Sequence, residues 1–398
     1  MMMKRVAATL FLVGILVLSS IVLSSETIEH QSAIIRQSRY YTPSQYQTSE
    51  PIEITSDGDF ATLGFPGSGT LEDPYIIANL SISSSSGRSI WIQDTTAYFI
   101  IYNCFVEAYR NDQAIWFDNV QNGQIVLSEI TGGEEGIVFI DSSNCTVTDT
   151  LVYNSGSGIE IYSADNCTII SSSFYNNYKG VEMDSAISCN ILNNSIYSNT
   201  LQGFDLDIFC FNNSIIGNSI GWNGVIGNVI DLGHFTRYDN GVGLGNAWDD
   251  FNGSIPFVVP GTNGSIDSFP VLLEDNVHPV VYGLADFAFD VESIGNSMTW
   301  VVFDVYPSRY SIQIDGGPDA VHVWNGDDIT IDLDTLRIGT YRYVLTLYDG
   351  AGNIASDEVY VSAVSFILGG IGTELVMIAS GLTVGCFVAI ILLVKKLS

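Results

Sequence analysis

The chain has 398 residues, enough for two or three domains with a sizeable core. Its 44 Asp and Glu against 13 Lys and Arg give a formal net charge of -31, which argues against nucleic acid and anionic surfaces as partners and leaves cations favoured. With 38 Gly, 20 Tyr and 20 Phe, and abundant Asn and Ser, the composition points to short strands and turns, not helices.

Lys4 and Arg5 precede an apolar run at residues 6–23, with Ser19, Ser20, Ser24 and Ser25 at its end. This predicts a cleaved secretory signal over residues 1–25. A polar linker follows over residues 26–50.

Residues 51–275 carry a repeat. Cys145, Cys167 and Cys189 recur every 22 residues, Cys210 follows after 21, and Cys104 stands about two periods upstream with Gly123 in the empty slot. A second series, Ala114, Gly136, Gly158, Gly180 and Gly203, precedes strand-like stretches with alternating apolar residues: Ile115 and Phe117, Ile137 and Phe139, Ile159 and Ile161, Val181 and Met183, Phe204 and Leu206. Two or three such strands in one period, without helical periodicity, predict one coil of a parallel β-helix. The apolar columns and the Cys column then point inward, the thiols free. Ser155, Asn177, Asn199 and Asn223 line up at turns, where side-chain amides bond neighbouring coils and tolerate left-handed backbone.

The same alternation predicts what points outward. One column reads Trp91, Trp116, Val138, Glu160, Glu182, Asp205, and the next Gln93, Asp118, Ile140, Tyr162, Asp184, Asp207. Stacked carboxylates at Glu160, Glu182 and Asp205 raise one another's pKa or recruit a cation, and an oxygen-only set suits calcium. Trp91, Trp116 and Tyr162 offer ring faces to sugars. Trp91, Trp116, Glu160, Tyr162, Glu182, Asp184, Asp205 and Asp207 are therefore the expected ligand-binding set. Lys179 is placed in a turn beside Gly180, and no residue is assigned a catalytic role. Sequons stand at Asn79, Asn144, Asn166, Asn193, Asn212, Asn252 and Asn263. Asn252, Asn263 and Asn79 are the expected glycosylation sites, with Asn144 and Asn166 crowded by the adjacent cysteines.

The coils resemble the right-handed parallel β-helix repeats of the pectate-lyase-like superfold, in particular NosD-like proteins. Residues 59–77, DFATLGFPGSGTLEDPYII, resemble the N-terminal cap of archaeal NosD-like surface proteins. Residues 245–270, beginning Gly-Asn-Ala-Trp-Asp-Asp, resemble their terminal segment. The resemblance covers roughly residues 50–275. It implies that the long outward sheet face holds polysaccharide, as in carbohydrate-active β-helices. The family name also implies copper, which His234 and Met183, the only His and Met in that range, support little.

Beyond the linker DNVHP the period is lost. Six or seven short alternating strands over residues 276–364 predict an immunoglobulin-like β-sandwich with Trp300 or Trp324 in its core. Residues 336–353 resemble the late strands of immunoglobulin-like or cadherin-like modules. Asp349 and Asp357 are expected in turns, with calcium contact as the alternative. Residues 366–394 predict a transmembrane anchor: residues 375–394 are uncharged, and Lys395 and Lys396 in the tail 395–398 mark the cytoplasmic side. Gly381 and Gly385 form a GxxxG that would pair two copies. The expected protein is all-β, held at the cell membrane by a single span, and binds extracellular glycan or mediates adhesion without catalysis. The alternatives are a polysaccharide lyase or glycoside hydrolase using the same face, or a copper-binding factor.

Overall fold

A computed structural model describes residues 46–365. The expected signal, most of the linker, the anchor with Gly381 and Gly385, and the tail lie outside the described residues. Among the described residues, no helix is long and apolar enough to cross a membrane.

The repeat region is a solenoid of three parallel sheets. Each coil visits them in turn. The first sheet holds Glu135–Ile140, Ser157–Tyr162, Lys179–Asp184 and Gln202–Leu206 among its strands; the second Thr146–Thr148, Thr168–Ile170 and Asn190–Leu192; the third Leu151–Tyr153, Ser173–Tyr175 and Ser195–Tyr197. Register is kept from coil to coil: Ile137 pairs with Ile159 and Ile159 with Val181, so like residues stack. These columns and the five cysteines at 104, 145, 167, 189 and 210 are fully buried, and the thiols are free.

Two polar ladders run inside the same core. From Cys104, backbone N–H groups donate in succession to the side chains of Ser128, Thr150, Ser172, Asn194, Asn218, Asn246 and Asp267, each one coil further on. A second ladder joins Ser155, Asn177, Asn199 and Asn223 in the same way. These amides thus bond their neighbours as expected. The left-handed backbone, however, falls one residue earlier, at Asn154, Asn176, Ser198 and Trp222, with φ of 61°, 53°, 53° and 54°. The corner residue turns the chain, and the next side chain points in to satisfy backbone groups that the corner would orphan.

The first ladder explains the terminal segment. Asp267 is fully buried, and its carboxylate accepts the Asn246 N–H at 2.7 Å and the Trp248 indole N–H at 3.0 Å, closing the last coil. At the other end a short helix, Asp57–Thr62, lays Phe60 on Tyr75 and Phe99, with ring centroids 4.8 and 5.1 Å apart.

The C-terminal unit packs a three-stranded sheet and a five-stranded sheet around Trp300, Trp324, Leu345, Leu347, Val359 and Val361. Asp349 caps its turn as expected, accepting the Asn353 N–H at 2.7 Å, but Asp357 lies on the strand Ile354–Val364, where it accepts the Trp300 indole N–H at 2.7 Å. The unit does not stand clear of the solenoid. It lies against the outer face of the third sheet, where Tyr153, Tyr175 and Tyr197 stack at 5.3 and 5.1 Å and Tyr306 meets Tyr197 edge-on. Asn176 donates to the Ser308 carbonyl at 2.6 Å, and Asn325 to Glu129 at 2.9 Å.

Candidate functional site

With the middle coils of the third sheet covered by the C-terminal unit, the first sheet offers the long polar face. Its outward column keeps the expected register: Trp91 pairs with Trp116, Trp116 with Val138, Val138 with Glu160, Glu160 with Glu182, and Glu182 with Asp205, although Val138 is fully buried. Tyr162 pairs with Asp184 in the second column and is 45% exposed.

Three corrections follow. Lys179 is not in a turn; it lies on the strand Lys179–Asp184, facing out. Strict alternation would give it the same inward parity as Val181. Gly180 breaks that parity, because the glycine column brings neighbouring backbones together: a Cβ on Gly180 would sit 2.6 Å from the Gly203 carbonyl oxygen. Lys179 Nζ therefore reaches Glu182 at 2.5 Å and Asp205 at 2.6 Å. The cation expected between those carboxylates is supplied by the chain itself.

The second correction concerns the tryptophans. Arg88, from the preceding loop, lays its guanidinium 4.8 Å from the Trp91 ring centroid and 3.9 Å from that of Trp116. Cation–π stacking thus occupies faces expected to be open to sugar. In the third, Asp207 lies past the end of the strand Gln202–Leu206 and leaves the second column. Its Oδ1 accepts the N–H groups of Ser185, Phe209 and Cys210, so it shapes the corner.

The face also gathers residues that column-reading missed. Ser157 donates to Glu182 at 2.6 Å, and Gln113 to Glu135 at 3.0 Å. Burial pushes the Glu160 carboxyl up to about 7, with the charges of Glu182, Glu135 and Asp184 adding to the shift. Burial likewise raises Glu135 and Asp184. For Lys179 burial works against the charge, yet its bonds to Asp205 and Glu182 carry its pKa above the ordinary value. Lys179 thus fixes two carboxylates, while Glu160 is left to take up a proton near neutrality.

This sets a pH dependence. The folded chain holds the Glu160 proton more tightly than the unfolded chain, whose pKa is near 4.5. The associated stability is complete below about 4.5 and is lost as pH rises through about 7. Melting curves across that window should show the midpoint falling with pH, and Glu160→Gln should flatten the decline. An unchanged slope in the variant would contradict the assignment.

Among the described residues, one group of carboxylates could hold a metal: Asp275, Asp304 and Asp349, with oxygens within 4.8 Å of one another at the seam between the two units. The buried thiols suit a soft metal poorly. Burial pushes Cys104 up to about 11 and Cys210 up to about 12, and the thiolate is the ligand. Asn252 and Asn79 are exposed. Asn263 is exposed too, but its amide donates to the carbonyls of Leu232, at 2.6 Å, and Gly233.

Residues 113–240 match a family described as a right handed beta helix region. The solenoid is an all-β, right-handed parallel β-helix. No curated protein matches the chain. Among solved structures, a mutant of the periplasmic alginate epimerase AlgG aligns with 16% identity over 42% of this chain and 45% of its own, with a TM-score of 0.38. An alginate lyase from Paenibacillus sp. aligns with 12% identity over 54% of this chain and 92% of its own, with a TM-score of 0.39. Pectate lyase Pel9A aligns with 15% identity over 51% and 62%, with a TM-score of 0.25. This chain thus spans under half of the AlgG structure.

Proposed function

We propose that this chain is a NosD-like β-helix protein of the cell surface that binds extracellular polysaccharide along its first sheet without cleaving it. The segment at residues 1–25 exports it, and the apolar segment at residues 375–394 holds it in the membrane. The C-terminal unit is read as an immunoglobulin-like module. The observation that carries the reading is the outward face itself. Ser157, Lys179, Glu182 and Asp205 form one bonded polar strip, beside Tyr162 at 45% and Tyr178 at 54% exposure. Such a strip supplies donors, acceptors and ring faces at a spacing of about 4.8 Å per coil, which suits an extended polymer.

A polysaccharide panel tests this. The chain should be retained on at least one insoluble or immobilised polymer with no release of reducing or unsaturated ends. Glu182→Gln, which weakens the Lys179 and Ser157 bonds, should cut retention about tenfold, the equivalent of about 1.4 kcal/mol. Retention equal to that of the parent would remove the first sheet from the reading.

A second reading has one observation in its favour. Glu160, with its raised pKa, stacks directly on Glu182, which is bonded to Lys179. Two carboxylates in unlike environments are what a general acid and its partner need. Product release in the same panel, abolished by Glu160→Gln, would establish a glycoside hydrolase or lyase in place of a binding protein.

A further inference from the structure

Five of the sequons fall on two corner columns that border the second sheet. Asn144, Asn166 and Asn212 stand two residues before its strands Thr146–Thr148, Thr168–Ile170 and Ser214–Ile216. Asn79 and Asn193 stand directly after its strands Tyr75–Ala78 and Asn190–Leu192. All five are exposed, and all five have left-handed backbone, with φ between 53° and 60°. At these corners the side chains lie on the surface, and those of Asn79 and Asn212 bond along the axis to a neighbouring coil. Of the three sheets, the third is covered by the C-terminal unit and the first carries the polar strip. Neither is bordered on its far side by a sequon.

We infer that asparagine-linked sugars are carried on Asn79, Asn144, Asn166, Asn193 and Asn212, coating the second sheet and leaving the other two faces bare. The inference rests on the proposed export of the chain. In the transfer, Asn Nδ2 bonds to the anomeric carbon of an oligosaccharide carried on a lipid phosphate or pyrophosphate. The bond from that carbon to the phosphate oxygen breaks, the lipid phosphate leaves with the electron pair, and Nδ2 gives up one proton.

The structure also orders the events. The middle residues of four of these sequons, Cys145, Cys167, Asn194 and Asn213, are buried at 0–2% exposure. A transferase that reads the sequon extended can reach it only before the coil closes. Afterwards the corner tolerates the product. Asn144 makes no side-chain hydrogen bond among the described residues. Asn79 accepts from Asn103 through its oxygen, leaving its nitrogen free. Asn166 and Asn212 each donate one bond, to Asp165 and Ser188, with a second N–H available. Asn263 differs: its nitrogen donates to two backbone carbonyls, and a sugar there would displace at least one of them.

The test is peptide mapping by mass spectrometry of the full chain, exported by a host with an asparagine-linked glycosylation pathway and extracted from its membranes. Corner asparagines should carry sugar, removable by enzymatic deglycosylation, and Asn263 should be bare. Bare corner peptides, or sugar on Asn263, would overturn the inference. A variant with all five corners changed Asn→Asp keeps a residue that tolerates left-handed backbone. It should lose the mass shift and remain folded, with a melting midpoint lowered by the added carboxylates, since position 166 exchanges a donor to Asp165 for a like charge. Should it fail to fold, the parental map alone decides. Polysaccharide retention is measured separately on the deglycosylated chain. A chain that never carried sugar yet still binds polymer sinks this inference and leaves the proposed function standing.

Discussion

Cys167→Asp should yield no folded solenoid. The Cys167 side chain is fully buried between the coils carrying Cys145 and Cys189, in a column lined by Ile169 and Ile191. An aspartate there meets no cation and no solvent. Leaving one buried charge unpaired costs roughly 3–5 kcal/mol, against a total domain stability of about 5–15 kcal/mol. Repeat architecture makes the loss worse, because each coil is held by its neighbours and a failed coil divides the stack. Cys167→Ala keeps the site apolar and is the control, expected to cost about 1–2 kcal/mol as a small cavity. Soluble yield and far-ultraviolet circular dichroism would check both. A soluble Asp variant melting like the parent would mean that the thiols do not line the interior.

Gly350→Leu should release the C-terminal unit from the solenoid. A Cβ at Gly350 would stand 2.8 Å from the Tyr197 ring, 3.1 Å from Ser198 Oγ and 3.4 Å from the Trp222 ring. The Tyr197 ring has little room to retreat. Tyr197 is locked between Tyr175 and Tyr306, and Ser198 and Trp222 are fixed corners of the third sheet. Overpacking of this kind costs about 1–3 kcal/mol, comparable to what a few aromatic contacts contribute across a seam. The cores of the two units are separate, so each should persist. Small-angle scattering should report a larger radius of gyration, and thermal melting should split into two transitions. Gly350→Ala should shift both only slightly. An unchanged scattering profile for the Leu variant would show that the units are not held together at this seam.

The inner architecture of the solenoid was readable because it depends on sequence neighbours and on the period. Alternation at Ile159 and Ile161 or Val181 and Met183 reports which face is wet, and a 22-residue return stacks each face on itself. The acidic column Glu160, Glu182, Asp205 followed from the same two facts. The site as a working unit did not. Lys179 is turned outward by a glycine whose need is set by the carbonyl of the next coil. The tryptophan faces are taken by an arginine from another loop, and Asp207 is drawn off by backbone N–H groups at a corner.

What the sequence by itself determined is therefore the repeat, its inward columns of Ile, Phe and Cys, the two outward columns up to Asp205, and a second unit without the period. Only the tertiary structure decided that Lys179 bridges Glu182 and Asp205, that Arg88 covers Trp91 and Trp116, and that the second unit lies along the third sheet on a stack of tyrosines. The physical reason is one of range. Burial imposes a period that neighbouring residues record, whereas a charge partner or a docked surface is chosen among groups whose separation in the chain carries no period at all.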